Sequence, residues 1–320
     1  MTVKISKSAL NLREELADLR KPSGIAGEAL LRADSVQDVR DTINAGRKNL
    51  LINGGFDVWQ RGTSFTDPLA NTYTADRWFN GGTDTSTTWS KQTATLPTGE
   101  VASTLRMDFT ASVQLYIDPY QGIEDFRFIS NRTVTLSCWV RTNISGVTFR
   151  QYSTKSIGDA VEADGEWQRY TATTTLGNIQ SLSKGVNSPY FGLSSNASIA
   201  LTSGDFLEFT HFQLELGSVA TEFEHRSYGE ELALCERYLQ YRNYVSYVEQ
   251  QSSSYRYLGT PLIPEMRTTP TITRLGNWIS GANEPGTLVD AGPTDHKGIV
   301  LYQPAVTKAV GGKFKFDAEL

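Results

Sequence analysis

The spacing of apolar residues changes near residue 49, from a helical period to an alternating one. Before this point, apolar residues recur at intervals of four, three, four and three, as in a two-heptad coiled-coil seam. The predicted oligomerisation residues are Ile5, Ala9, Leu12, Leu16 and Leu19. Pro22 and Gly24 end this helix, and a second short helix is predicted up to Gly46. The seam favours self-association of this helix with other copies of the chain over packing of the helix on its own domain. Two heptads do not select a trimer over a dimer.

From residue 49 onward, apolar and polar residues alternate in many short runs. The runs at Leu105–Phe109 and Val134–Val140 place every second side chain on one face, which is typical of half-buried strands. In the run Phe206–Leu216, the residues Phe206, Phe212, Leu214 and Leu216 share one parity and are predicted to share one face. Short strands separated by Gly, Asn, Asp and Pro turns predict a mainly β protein with an antiparallel β-sandwich of jelly-roll size.

A third helical segment is predicted within the β region and divides it. The sequence predicts a helix from Glu230 to about Arg242, with its acidic residues at the N-terminus, where the helix dipole favours them. Beyond it, prolines separate short strands such as Thr271–Leu275 and Ile299–Gln303. The predicted organisation is therefore a helical attachment and oligomerisation segment over 1–48, a jelly-roll sandwich over 49–228, and a linker helix with a small C-terminal β domain over 229–320.

Charge and composition exclude several classes of partner. The chain has 30 Lys and Arg against 35 Asp and Glu, a net charge of −5, so it lacks the basic balance of a general nucleic-acid binder. No apolar run is long enough for a membrane span, and the N-terminus lacks the pattern of a secretory signal, so no membrane insertion is expected. Cys138 and Cys235 are too far apart for a metal-ligand motif and are predicted to be reduced, buried thiols.

Aromatic residues on the polar side of predicted strands are the candidate binding residues. A sugar ring presents an apolar face that an exposed aromatic side chain covers, and hydroxyl groups that Asn, Gln, Asp and Arg bind. The candidate carbohydrate-binding residues are Trp89, Tyr116, Trp139 and Tyr152. Each alternatively packs under a loop or against a neighbouring subunit.

The sequence predicts no catalytic residues, no metal site and no cofactor. Hydrolysis of a glycan requires two carboxylates that flank one bond, and the acidic clusters of this chain are interpreted as solvated strand edges. These acidic residues are Asp118, Glu124, Asp125, Asp205 and Glu208. His211 and His225 are placed to meet across adjacent strands, but a hydrogen bond to a neighbouring backbone is the favoured role of His225.

Two stretches resemble a domain that is common in bacteriophage tail-fibre proteins. The opening stretch is Asn49–Phe65, which reads NLLINGGFDVWQRGTSF, followed by YTADRW at Tyr73–Trp78. The closing stretch is Phe212–Tyr238, which contains FQLELGSVATEFEHRSYGEEL. Between them, VTLSCWV at Val134–Val140 and EWQRYT at Glu166–Thr171 lie where that domain has similar motifs. The resemblance covers about residues 49–320, although Phe56, Trp59 and Trp78 of the opening stretch are themselves expected to fill the core.

The resemblance implies a jelly-roll similar to carbohydrate-binding modules, carried on a trimeric virion appendage. The expected function is that of a non-enzymatic tail-fibre component, made in the host cytoplasm, that binds a bacterial surface glycan for adsorption. The expected partners are other tail or baseplate proteins at the N-terminus, the glycan, and two further copies of the chain. The alternatives are a purely structural tail or baseplate protein and a glycan-degrading tail enzyme.

Overall fold

The structure is a computed structural model, and it describes most of the chain from Lys48 onward. The described residues are 48–82, 86–110, 119–124, 126–151, 157–179, 190–195, 199–246, 255–262, 264–275, 289–290, 298–304 and 310–319. The predicted helical leader, with Ile5, Ala9, Leu12, Leu16 and Leu19, lies outside the described residues. Asn49–Leu320 forms one compact unit, and the division predicted at residues 228 and 229 stays a prediction.

Two antiparallel sheets form the larger β region. The first sheet has six strands in the order β1-β3-β4-β10-β6-β8, and the second has four in the order β2-β5-β9-β7. The strands are β1 (Ser64–Thr66), β2 (Phe79–Asn80), β3 (Thr87–Thr95), β4 (Val101–Phe109), β5 (Pro119–Gly122), β6 (Thr133–Thr142), β7 (Phe149–Gln151), β8 (Gln168–Thr175), β9 (Tyr190–Ser195) and β10 (Phe206–Leu216). The described pairings are all antiparallel, which confirms the predicted antiparallel sandwich.

The core lies between these two sheets. Apolar side chains of both sheets form one buried cluster, and the rings of Phe149 in β7 and Phe209 in β10 meet edge to face with centroids 5.6 Å apart. Phe56 and Trp78 belong to the same cluster and are fully buried. The expectation that these two aromatic residues of the opening stretch fill the core is therefore confirmed, and their burial supplies hydrophobic stabilisation rather than a binding surface.

The opening stretch is also fixed to β10 through its backbone. Gly54 accepts a hydrogen bond from the Phe212 amide at 2.9 Å. A Cβ atom at Gly54 would lie 2.0 Å from the Phe212 carbonyl oxygen, so only glycine allows this approach. Asn49 accepts hydrogen bonds from the Leu51 and Leu214 amides through its side-chain oxygen. The resemblance in the opening and closing stretches thus corresponds to a structural contact between them.

The helix after the sandwich is shorter than the sequence predicts. Helix α1 covers Tyr228–Glu236, and its N-cap Ser227 forms a capping box with Glu230. The predicted extension to Arg242 is wrong, because residues from Leu239 onward pair with the last strand of the chain instead. Aromatic and β-branched residues suit a half-buried strand, and here pairing across the sheet outweighs the helical spacing.

The C-terminal segment contains two three-stranded sheets, in the orders β11-β16-β13 and β12-β15-β14. Their strands are β11 (Leu239–Ser246), β12 (Tyr255–Pro261), β13 (Thr271–Leu275), β14 (Val289–Asp290), β15 (Gly298–Pro304) and β16 (Val310–Asp317). Phe314, Phe316 and Ala318 form a separate small core with Leu262 and Met266. The mainly β character predicted for this segment is confirmed.

A β-bulge in β10 changes which residues face the core. The pairing of β10 with β6 shifts register between Thr210 and Gln213, and His211 has a positive φ of 54°. Leu207 and Phe209 face the core before the bulge, and Phe212 and Leu214 face it afterwards. Phe206 therefore does not share the face of Phe212 and Leu214, and the single parity predicted for this run is wrong.

No helix among the described residues is long and apolar enough to cross a membrane.

Candidate functional site

A row of charged side chains crosses the outer face of the six-stranded sheet. Arg106 of β4, Glu208 of β10 and Arg141 of β6 occupy paired positions on adjacent strands. Glu208 is 1% exposed, and its Oε2 atom accepts hydrogen bonds from Arg106 Nη1 at 3.1 Å and Arg141 Nε at 2.9 Å. Its Oε1 atom accepts one from Thr104 at 2.6 Å. The buried carboxylate is therefore fully paired and holds two guanidinium groups in fixed positions.

Aromatic rings lie beside each of these guanidinium groups. The Arg106 guanidinium carbon lies 4.1 Å from the ring centroid of Phe206, and that of Arg141 lies 4.9 Å from the ring of Trp167. Burial alone would lower the pKa of Arg106, but the hydrogen bond and charge of Asp108 and the charge of Glu208 outweigh it and raise that pKa. Arg106 is therefore cationic, and both guanidinium groups lie beside aromatic rings.

Trp139 lies on the same face, next to a third guanidinium group. Its side chain is half-buried, and the Arg169 guanidinium carbon lies 5.9 Å from its ring centroid. The ring packs against a small apolar cluster of Leu96, Ala102 and Trp167. Trp139 is thus held by apolar contacts while part of its side chain remains exposed to solvent. We call Arg106, Trp139, Arg141, Trp167, Arg169, Phe206 and Glu208 the arginine–tryptophan face.

The predicted binding residues have different positions in the structure. Trp139 lies on the polar side of β6, together with Ser137 and Arg141 as predicted, whereas Tyr116 and Tyr152 lie outside the described residues. The prediction that Trp89 is exposed is wrong, because its side chain is 0% exposed and belongs to the main core. Its partners on the neighbouring strands are Phe65 and Met107, whose side chains also pack with that core. The polar residues beside Trp89 in the sequence therefore did not show that its side chain faces the core.

Sequence reasoning missed most of the arginine–tryptophan face. Arg106, Trp167, Arg169 and Glu208 join Trp139 only because β4, β10, β6 and β8 lie side by side in this order. The motif at Glu166–Thr171 contains Trp167 and Arg169 and was the one sequence pattern that pointed to this face. It did not show which strand these residues would lie beside. Strand order is set by long-range pairing, which local alternation does not encode.

The acidic residues considered for catalysis are engaged in structural contacts where they are described. Glu124 accepts hydrogen bonds from Arg237 at 3.1 Å and from Tyr238 at 2.9 Å. Asp205 accepts one from the Thr202 amide at 2.7 Å, and Glu208 is paired as described above. Asp118 and Asp125 lie outside the described residues.

Two histidines and a glutamate lie close together beside the bulge of β10. The Nε2 atoms of His211 and His225 lie 3.4 Å and 3.6 Å from the same oxygen, Glu100 Oε1. His211 is 4% exposed and stacks on Phe223, with ring centroids 4.1 Å apart and planes 1° apart. Burial, followed by the charges of His225 and Arg169, lowers the pKa of His211 to about 4. His211 and His225 do lie side by side, with ring centroids 5.3 Å apart, but His225 is outside the strands and Glu100 was not predicted to join them.

No family model matches the chain, and no curated protein sequence matches it. Among solved structures, it is similar to a putative sugar-binding protein from Bacteroides thetaiotaomicron, with 12% identity, a TM-score of 0.35, and coverage of 53% of this chain and all of that one. The tripod from the baseplate of bacteriophage Tuc2009 has 14% identity and a TM-score of 0.31, with coverage of 67% and 82% respectively. The CBM22-1 xylan-binding domain of Paenibacillus barcinonensis Xyn10C has 11% identity and a TM-score of 0.29, with coverage of 55% and 100%.

Proposed function

We propose that the chain is a non-enzymatic component of a phage tail fibre, and that its arginine–tryptophan face binds a host cell-surface glycan during adsorption. The observation that carries this proposal is the position of Trp139. Its half-buried indole lies on the outer face of the sheet, packs against a small apolar cluster, and has the Arg169 guanidinium carbon 5.9 Å from its ring centroid. An aromatic surface bordered by fixed hydrogen-bond donors matches the apolar face and the hydroxyl groups of a sugar ring.

The fixed arginines contribute preorganisation to this face. Arg106 and Arg141 share Glu208, so binding a ligand does not require either side chain to be ordered first. A preordered donor costs less conformational entropy on binding than a free surface side chain. The side chains of Arg106 and Arg141 remain 24% and 29% exposed, which leaves donor groups accessible to a ligand.

The absence of catalysis is part of this proposal. Glu208 is the carboxylate at the centre of the face, and it already accepts hydrogen bonds from Thr104, Arg106 and Arg141. A general acid must present a proton to a leaving group, whereas Glu208 is buried and its oxygens are occupied by these three donors. The arrangement therefore supports binding rather than glycosidic cleavage.

The location in the virion rests on the sequence resemblance to tail-fibre proteins. In this proposal, residues 1–48 join the chain to other tail or baseplate proteins and hold it as a homotrimer. Three copies would present three weak sugar sites to one cell surface, and multivalent attachment would supply the avidity.

A binding experiment with the full chain tests the proposal. The wild-type protein is applied to an array of bacterial surface polysaccharides, together with Trp139→Ala and the control Phe128→Ala. Phe128 is 42% exposed, and the Arg132 guanidinium carbon lies 4.9 Å from its ring centroid. Like Trp139, it is an aromatic residue next to an arginine, but it lies outside the arginine–tryptophan face. Binding that is lost in Trp139→Ala and kept in Phe128→Ala is the expected result.

Two other outcomes would select the alternative functions. If host adsorption were unchanged in Trp139→Ala while virion assembly failed, the chain would be a structural tail or baseplate component. If the purified protein released oligosaccharides from host capsule or lipopolysaccharide, the non-enzymatic assignment would be wrong.

A further inference from the structure

Three potential metal ligands converge from segments that are far apart in sequence. Glu100 lies in the turn between β3 and β4, His211 lies in the bulge of β10, and His225 lies between β10 and α1. Their ligand atoms all lie within 4.8 Å of one another. We propose that Glu100, His211 and His225 form a binding site for a single Zn²⁺ ion.

Two of the three distances between the ligand atoms match a tetrahedral zinc centre. Zinc binds imidazole nitrogen and carboxylate oxygen at about 2.0–2.2 Å, which places two ligands of a tetrahedron roughly 3.3–3.6 Å apart. The distances from Glu100 Oε1 to the Nε2 atoms of His211 and His225 are 3.4 Å and 3.6 Å. These two distances match two edges of a tetrahedral site, and all three ligand atoms lie within 4.8 Å of one another.

The backbone and the packing of His211 fix its ring in the orientation that the site requires. Its positive φ of 54° turns this residue out of the regular alternation of β10. The parallel stack with Phe223 then sets the plane of the ring. The His225 ring lies edge-on to both, with centroids 5.3 Å from His211 and 5.0 Å from Phe223. Fixed ligand orientation is what allows a protein to bind a metal without a large entropic cost.

The donor set and its exposure indicate the type of metal. Two imidazoles and one carboxylate suit Zn²⁺ and neighbouring late first-row ions, whereas Ca²⁺ and Mg²⁺ take all-oxygen sites. The side chains of His225 and Glu100 are 59% and 36% exposed, so the site is open to solvent and a water molecule would supply the fourth ligand. Both cysteines are buried elsewhere in the described structure and do not compete for the ion.

Arg169 carries a positive charge that acts on His211, and its guanidinium group is held in place by hydrogen bonds. Arg169 donates hydrogen bonds to the Ser137 hydroxyl at 2.8 Å and to the Thr221 carbonyl at 3.1 Å. Its guanidinium group is thus held by the sheet and by the segment after β10. The ion would join the β3–β4 turn, the β10 bulge and this segment, and would add a crosslink between them. This proposal does not depend on glycan binding.

Zinc titration of the chelator-treated full chain tests the site. We expect the wild type to bind one Zn²⁺ per chain near neutral pH and to show a higher melting temperature with zinc, because a ligand of the folded state stabilises it. Cobalt(II) should give the visible absorption of a tetrahedral ion in the same site. The variants His225→Ala and Glu100→Gln should each lower the zinc affinity by at least about tenfold.

The matched controls are His296→Ala and Glu162→Gln. His296 is the remaining histidine of the chain, and Glu162 is an exposed carboxylate outside the cluster. His225 and Glu100 are accessible enough for their variants to fold, which circular dichroism would verify. The proposal is overturned if the wild type does not bind zinc. It is also overturned if His225→Ala and Glu100→Gln both bind zinc as the wild type does, or if a control variant loses as much affinity as they do.

Discussion

Arg77 and Glu319 form a buried ion pair between residues that are 242 positions apart. Arg77 is 1% exposed, donates a second hydrogen bond to the Gly122 carbonyl at 2.7 Å, and lies 3.5 Å from the ring centroid of Tyr238. Burial alone would lower the pKa of Arg77, but the charge of Glu319 raises it above its ordinary value. The opening stretch of the sandwich is therefore fastened to the C-terminal end of the chain through a charged contact that excludes water.

Replacement of Glu319 should destabilise the chain strongly. In Glu319→Gln the shape of the side chain is kept, but Arg77 remains as an uncompensated buried charge, which costs about 3–5 kcal/mol. The free energy of unfolding in urea measures this loss. Asp317→Asn is the matched control, because Glu319 and Asp317 both lie near the Arg61 guanidinium group, but the side chain of Asp317 is 26% exposed. A surface carboxylate of this kind contributes about 1 kcal/mol or less, and equal losses in the two variants would contradict the role of Arg77.

Asp76 should make stability depend on pH. Burial raises the pKa of Asp76 to about 6 from 3.8, although the charge of Arg61 and hydrogen bonds from Gln60 oppose this shift. The folded state thus holds the proton more tightly than the unfolded state. The resulting stabilisation is present below pH 4 and is lost as the pH rises through about 6, to an extent of at most about 3 kcal/mol.

Urea unfolding between pH 4 and 7 measures this dependence. Asp76→Asn should lack that part of the pH dependence, whereas Asp57→Asn, at an exposed aspartate, should keep the wild-type profile. If the free energy of unfolding of Asp76→Asn changed with pH as that of the wild type does, Asp76 would have the same pKa in the folded and unfolded states.

The fold was largely predictable because its strands carry local alternation. The predicted bounds of Phe206–Leu216 and Thr271–Leu275 agree with β10 and β13. The bulge at His211 was not predictable, since one inserted residue leaves no periodic signal and moves Phe206 to the other face. The position of Glu100 beside the histidines was not predictable either. It depends on the packing of the β3–β4 turn against the segment after β10, a long-range contact for which the sequence contains no motif.

Removal of residues 1–48 should abolish self-association without unfolding the rest. Asn49–Leu320 is one compact unit, so a chain that begins at Asn49 should retain its strands and its thermal transition. The predicted seam of Ile5, Ala9, Leu12, Leu16 and Leu19 would be lost with the leader. Light scattering should then give the mass of one chain for the short form and of three chains for the full form. If the short form keeps the mass of the full form, the contacts between copies lie within residues 49–320.

The two tryptophans first proposed as binding residues should respond in opposite ways to substitution. Trp139 is half-buried at the surface of the arginine–tryptophan face, whereas Trp89 is fully buried in the core. Trp139→Ala should lower glycan affinity by about tenfold or more and cost little stability, because a contact residue mainly loses its interaction with the ligand. Trp89→Ala should cost about 3–5 kcal/mol of stability through the cavity it leaves.

Glycan affinity by calorimetry and stability by urea unfolding, measured on the same preparations, separate these effects. Trp89→Ala should keep its affinity under conditions where it is folded, since its side chain belongs to the main core and is 0% exposed. If Trp139→Ala lost stability as strongly as Trp89→Ala and kept its affinity, the indole of Trp139 would belong to the core. The glycan would then have to bind on another surface of the chain.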